Sequence, residues 1–401
     1  MRLLFMCLAG LLLSGNCTSG VRPIELQKDV KSASDNVTEI RSALTTEKLS
    51  SWAVSASSVG SQETLNCLYF LNENEGWIGG KGGLYKTTDR GSSWERVIIN
   101  FPDQGEVDEV FFQNLLFGWV ALERHVPYVS PHEENQSWLV QTNDGGRTWR
   151  VQREDKDGAL THISFVDRPN GWLAGIRYVG TNPIRFSPSV FHTSNNGENW
   201  TDASPGLNDV ATDQKDVYGD PLNDWIAAIV ADGAATATVL TQRGKILRSF
   251  DSGQSWKQIN LIPHEPSQTS FRRLGQKASG KLWVTGGADS IEGTWGMLAE
   301  QQNGNSWIRY RLIGAYFSDV QLGSENIFIA CGSVLSDGRR QAAIFYSKDG
   351  GRQWSIIYRD NKVERLNAIV STSPYQIWAV GERGLIVHLT ATTLPQNRLP
   401  R

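Results

Sequence analysis

Arg272 and Arg273 stand side by side in SFRRLGQ, and two adjacent guanidinium groups can grip carboxylates in a planar, two-pronged way that lysine cannot. They are the strongest binding candidates in the chain. Arg339 and Arg340 read instead as solvated loop charges. His125, His132, Glu133 and Glu134 are metal-ligand types, but their spacing matches no compact zinc pattern, so a polar loop is expected there, with no metal or cofactor. Asp108, Asp167 and Asp319 fall in or beside short alternating stretches of separate repeats. Two such acids would suffice for a glycosidase, and solvated acids would look the same. Tyr128, Trp138, Tyr178 and Trp295 could form an aromatic platform for a sugar.

These residues are carried by a repeat. TTDRGSSW from Thr87 recurs as TNDGGRTW from Thr142, TSNNGENW from Thr193, SFDSGQSW from Ser249 and SKDGGRQW from Ser347, with a worn copy, EQQNGNSW, from Glu300. The closing tryptophans Trp94, Trp149, Trp200, Trp256, Trp307 and Trp354 are separated by 55, 51, 56, 51 and 47 residues, a period that means a propeller, solenoid or array. Within each copy the acid or amide (Asp89, Asp144, Asn195, Asp251, Asp349) is expected to cap backbone two residues on. The glycine (Gly91, Gly146, Gly197, Gly253, Gly351) takes a positive φ, and the tryptophan opens the next strand. These acids are turn formers and not catalysts. The phrase is identified as the Asp-box of propellers that resemble sialidases and their non-enzymatic relatives.

Between boxes runs a second phrase: GWIGG at Gly76, GWVAL at Gly118 and GWLAG at Gly171, loosened to LWVTGG, IFIACG and IWAVGERG later. Each repeat therefore reads as four short strands, the signature of a propeller blade. The last repeat lacks a box and a fourth strand, whereas SSWAVSASS from Ser50 has the register of an outgoing strand, with Trp52 lying 42 residues before Trp94. The expected fold is an all-β, seven-bladed propeller whose ring closes by pairing this N-terminal strand into the last blade, which removes two open edges. The fourth blade is irregular, with an extra segment at 207–224. Extra length also falls between second and third strands at 124–136, 177–189 and 334–341, expected to be loops on one rim.

With closure in place, the body resembles the photosystem II assembly and stability factors of cyanobacteria and plastids and their bacterial relatives. The resemblance rests on the opening WAVSASS strand, the alternating Gly-Trp and Asp-box phrases, and the twin arginine in SFRRLGQKASGKLWVTGG. It implies a non-catalytic scaffold that docks a protein partner, such as a membrane-complex subunit, through a basic patch at the channel rim. Here that patch would be Arg243, Arg272 and Arg273. A further arginine of the family pattern is replaced in TGGADS. The alternatives are a glycan-binding module or a glycoside hydrolase of the sialidase-like superfamily. The chain shows no convincing arginine triad for the latter, and PIRFSP at Pro183 lies in the wrong blade.

The ends set the location. MRLLFMCLAGLLLSGNC carries one positive charge and an apolar run too short to span a bilayer, so residues 1–19 read as an export signal. Cys17 is a lipidation candidate, and ordinary cleavage near Ser19 is equally compatible. Residues 20–45 read as a flexible tether with a short helix around Val37 to Leu44, 46–392 as the propeller and 393–401 as a tail. An exported protein in the periplasm or cell envelope follows, held to a membrane only if lipidated, and monomeric. A net charge of −3 argues against nucleic acid as a partner. Cys67 and Cys331 fall in different repeats and read as buried thiols.

Overall fold

The computed structural model describes residues 37–45, 52–60, 62–100, 105–124, 136–156, 158–166, 169–181, 184–207, 224–262, 269–290, 293–304 and 306–391. They form seven sheets arranged as propeller blades, each built on four antiparallel strands. The inner strands are Leu65–Phe70, Glu106–Phe112, Gly158–Phe165, Ile226–Gly233, Ser270–Gln276, Ala315–Ser324 and Leu366–Ser373, and they number blades 1 to 7. Blade 7 takes its outer strand, Trp52–Ser58, from the N-terminal side, antiparallel to Leu385–Ala391 over seven consecutive pairs from Trp52↔Ala391 to Ser58↔Leu385. The ring closes as the sequence predicts.

The Gly-Trp phrase has a packing cause. Phe70, Phe112 and Phe165 end the inner strands of blades 1 to 3, and each ring lies over the glycine of its own blade. A Cβ there would sit 2.7, 2.5 and 2.3 Å from ring carbons at Gly76, Gly118 and Gly171. The following tryptophan stacks on the phenylalanine of the next blade: Trp77 on Phe112 at 3.6 Å, Trp119 on Phe165 at 4.2 Å, and Trp378 of blade 7 on Phe70 at 5.3 Å. The box tryptophans Trp94, Trp149 and Trp200 meet the same phenylalanines edge-on. One aromatic stack thus joins blade 7 to blade 1, blade 1 to blade 2 and blade 2 to blade 3, and so also carries the closure.

The Asp-box turns are built by hydrogen bonds, with a division of labour that differs from the sequence expectation. At Thr87 the hydroxyl accepts the Gly91 N–H at 2.8 Å, while Asp89 reaches four residues on, accepting the Ser93 N–H at 2.9 Å and its hydroxyl at 2.7 Å. The same pattern is present at Thr142, Thr193, Ser249 and Ser347. The Ser93 hydroxyl and amide hold the Asp89 carboxyl down to about 2, as Thr148 does for Asp144.

Two readings are corrected. Residues 37–45, where the sequence predicts tether with a short helix, hold two strands: Val37–Arg41 adds in parallel to the outer strand of blade 5, and Ala43–Thr45 to that of blade 6. Ser42 links them, its N–H on the Arg311 carbonyl at 2.8 Å and its hydroxyl on the Gly351 carbonyl at 2.6 Å. The sheet edges satisfy backbone groups that an isolated helix of this length would leave frayed. The extra length in blades 3 and 6 is not loop but extended hairpin, Gly171–Thr181 with Ile184–Thr193 and Ile327–Ser336 with Arg339–Ser347. The expected export signal with Cys17, the remainder of the expected tether, the 125–135 segment with its histidines, and residues 392–401 lie outside the described residues. Cys67 and Cys331 are buried and form no disulfide among the described residues.

Candidate functional site

Because successive strands alternate in direction, the second-to-third-strand turns and the links from each outer strand to the next inner strand share one rim. Residues at the start of an inner strand open onto it. Arg272 and Arg273 do so in blade 5, where Arg272 is the extra residue of a bulge and Arg273 resumes the pairing opposite Thr285. Arg273 grips Asp319 of blade 6 with two bonds, Nε to Oδ1 at 2.6 Å and Nη2 to Oδ2 at 3.1 Å. Asp319 is 1% exposed and also accepts the backbone N–H of Val320 at 2.8 Å and of Ile369 at 3.0 Å, so one carboxylate ties blades 5, 6 and 7 together. In return the carboxylate pushes the Arg273 pKa up. Arg273 is therefore a structural clamp between blades.

Arg272 turns to Tyr316 of blade 6, donating from Nε to the phenol oxygen at 2.9 Å and from Nη2 to the same atom. The ring of Tyr316 also lies under Arg365, 4.9 Å from the guanidinium carbon. Arg365 and Arg340 converge on Asp289, with Arg340 Nη2 at 2.7 Å from Oδ1 and Arg365 Nη2 on Oδ2. Thr294 donates its hydroxyl to the same carboxylate at 3.2 Å. This corrects the reading of Arg340 as a solvated loop charge. The TGGADS segment, noted for lacking an arginine, supplies the acid that holds two of them.

A groove of about 1020 Å³ opens beside this network between the extended hairpins of blades 5 and 6 and the turns of blade 7, lined by Arg339, Arg340, Lys362 and Arg383 against Asp337 and Glu364. Cations outnumber acids on its walls. Arg243 sits on the second-to-third turn of blade 4, and the neighbouring Gln242 exchanges two 2.9 Å bonds with the backbone of Phe271, beside Arg272. The Arg243 N–H donates to Asp224 at 3.1 Å, whose carboxyl burial pushes up to about 6. The structure thus gathers all three sequence candidates on one rim. It adds Arg340, Arg365, Lys362 and Arg383, which no local motif marks.

The same rim is acidic at blade 2. Glu106 and Glu123 are paired across neighbouring strands, Glu106 accepts from Asn66 at 2.6 Å, and Glu109 meets His162 at 3.6 Å. Glu123 is 3% exposed, and burial, with Asp108 and Glu106 close by, pushes its carboxyl well above the usual range. Asp108 is thus partnered by Glu123 and Asp319 by Arg273, while Asp167 lies outside the described residues. Among the described residues no group of three acids, histidines or cysteines could hold a metal. Of the proposed sugar platform, Trp138 and Trp295 are buried, 4% and 5% exposed. The side chains of Tyr128 and Tyr178 are outside the described set.

No protein-family model matches the chain. It is 23% identical over 319 residues to the photosystem II assembly protein Ycf48 of a Synechococcus species, covering 71% of this chain and 88% of the relative. Among solved structures it is similar to YCF48 bound to D1 peptide, with a TM-score of 0.57 and 19% identity over 88% of this chain and 100% of that one. It is also similar to the GH74 xyloglucanase from Xanthomonas campestris, with a TM-score of 0.58 and 13% identity over 83% of this chain, spanning only 53% of the enzyme. The resemblance read from the Gly-Trp phrases, the Asp-boxes and the twin arginine holds in both sequence and fold.

Proposed function

We propose that this chain is a scaffold without catalytic function that docks a protein partner on the basic rim of blades 4 to 7. The observation that carries the reading is the preset arginine network, in which Asp289, Asp319 and Tyr316 hold Arg272, Arg273, Arg340 and Arg365 beside a groove with further cations. Guanidinium groups already fixed by neighbours lose little freedom when a carboxylate arrives, which favours a partner presenting acidic side chains or a chain terminus. The similar propeller with a D1 peptide bound, and the assembly role named for the curated relative, support a protein client. An exported location, with or without a lipid on Cys17, and a client in a membrane complex complete the proposal.

The test is affinity capture from membrane extracts of the host with the intact chain and with an Arg272→Glu/Lys362→Glu variant. The variant should recover at least tenfold less of the specific partner at an unchanged melting temperature, and equal recovery overturns the reading. Arg273 is left intact because a glutamate beside Asp319 would unfold the clamp. The hydrolase alternative draws on the Glu123–Asp108 acid pair, a carboxyl held protonated as a general acid requires. Its burial leaves little access for a sugar. Release of reducing ends from xyloglucan, lost in Glu123→Gln, would favour the enzyme.

A further inference from the structure

We propose that the outer strand of blade 7 pairs with its own copy in a second chain, forming a two-fold dimer through a sheet continuous across both molecules. The starting observation is a missing safeguard. An exposed sheet edge presents unpaired backbone groups and recruits other strands unless it is short, charged, bulged or covered.

Every other blade has such a device. Blade 1 ends in three residues, Glu95–Val97, two of them charged; blade 3 ends in two, Thr201–Asp202, and the part of its third strand that these leave uncovered is interrupted by Pro188, which has no N–H to offer. Blade 2 ends in Arg150–Asp155, with four charged side chains and a bulge in its pairing. Blade 4 ends in Lys257–Leu261, opened by a lysine and paired through a register shift. Blade 5 is covered by Val37–Arg41; in blade 6, Ala43–Thr45 covers the first residues of the outer strand, which ends in Arg359 and Asp360 beyond a bulge. Blade 7 has none of these. Its outer strand reads WAVSASS, pairs without a bulge and is exposed from Ala53 to Ser58, and among the described residues no strand lies on its far side.

The occupant is a second copy because the strand is complementary to itself. Laid antiparallel about Ser55, it sets Ala53 opposite Ser57, Val54 opposite Ala56 and Ser55 opposite Ser55. An isologous two-fold contact requires such matching. No charge is brought against a like charge, and the side chains are small enough for two discs to approach. The added strand on blade 5 uses a different chemistry: its Glu39 is matched to Arg309 at 2.6 Å and Arg311 at 3.2 Å. The blade 7 edge has no charge to reward a partner of that kind. A single strand pair buries less than the ~1,600 Å² of a standard interface, so association is weak and rises with concentration. This departs from the monomer expected from the sequence and does not depend on the partner-docking reading.

Sedimentation velocity of the full chain over a concentration series, with Val54→Lys alongside, tests the idea. The parent should shift from monomer to dimer with concentration, and the lysine should weaken dimerisation at least tenfold without lowering the melting temperature. Ser55→Cys and Ser57→Cys then read the register. Directly opposite Cβ atoms approach to ~5 Å, so Ser55→Cys should cross-link under mild oxidation and Ser57→Cys should not. Three results would overturn the proposal: a parent monomeric at every concentration, a dimer indifferent to Val54→Lys, or dimerisation seen only after residues 392–401 are removed, which would make the tail the occupant.

Discussion

Blades 5 to 7 and blade 2 carry buried carboxylates at the same rim of the same disc, and they neutralise them in opposite ways. Asp289 is met by guanidinium groups from blades 6 and 7 and Asp319 by one from blade 5, so each contact becomes a clamp. Glu123 is met by Asp108 and Glu106, so it keeps its proton and no clamp forms. A propeller repeats its backbone faithfully while leaving each blade to solve its own electrostatics. The basic solution leaves oriented cations on the surface and the acidic one leaves a quiet, neutral group. That difference is why docking is proposed for blades 4 to 7.

The comparison breaks most visibly at Asp319. Asp319→Ala strands Arg273 and two backbone N–H groups, and removing one partner of a buried pair costs about 3–5 kcal/mol. Urea unfolding should show that loss, and a cost under about 1 kcal/mol would mean the clamp is ornamental.

Glu123 tests the other solution. Its carboxyl is raised in the folded state, so its contribution to stability is complete below the unfolded value near 4.3 and is lost as pH climbs toward the folded one. One proton corresponds to a slope of about 1.4 kcal/mol per pH unit. Glu123→Gln should remove that slope and raise the melting temperature above pH 7 while leaving it unchanged at pH 4. A variant that melts lower at neutral pH would show that the ionised acid is favourable after all.

Asp224 sharpens the contrast, since it lies between the two cases: it is buried, yet it accepts the N–H groups of Trp225 at 2.9 Å and Arg243 at 3.1 Å. Its carboxyl moves from 3.8 to about 6, a difference of 2.2 that is worth about 3 kcal/mol at most. That stability is present below about pH 4 and lost by pH 6. Asp224→Asn keeps an acceptor oxygen and should flatten calorimetric stability across that window only.

The sequence by itself determined the blades, their number and the closure. Each is written in residues a few positions apart: the hydroxyl, acid, glycine and tryptophan of a box, or the glycine and tryptophan of a second strand, whose partners are local backbone or the next repeat. The WAVSASS strand was legible because it lacked a mate at one end just as the last blade lacked a strand at the other. The twin arginine was visible as adjacent charges on an alternating strand. The five-residue strand at Val37 was not, since so short a run carries no period and is held only by the edge it meets. Nor was the rest of the site. Asp289 lies 51 residues from Arg340 and 76 from Arg365, and no spacing rule joins them. Only ring closure, which brings the starts of inner strands and the ends of hairpins to one rim, decided which arginine would meet which acid.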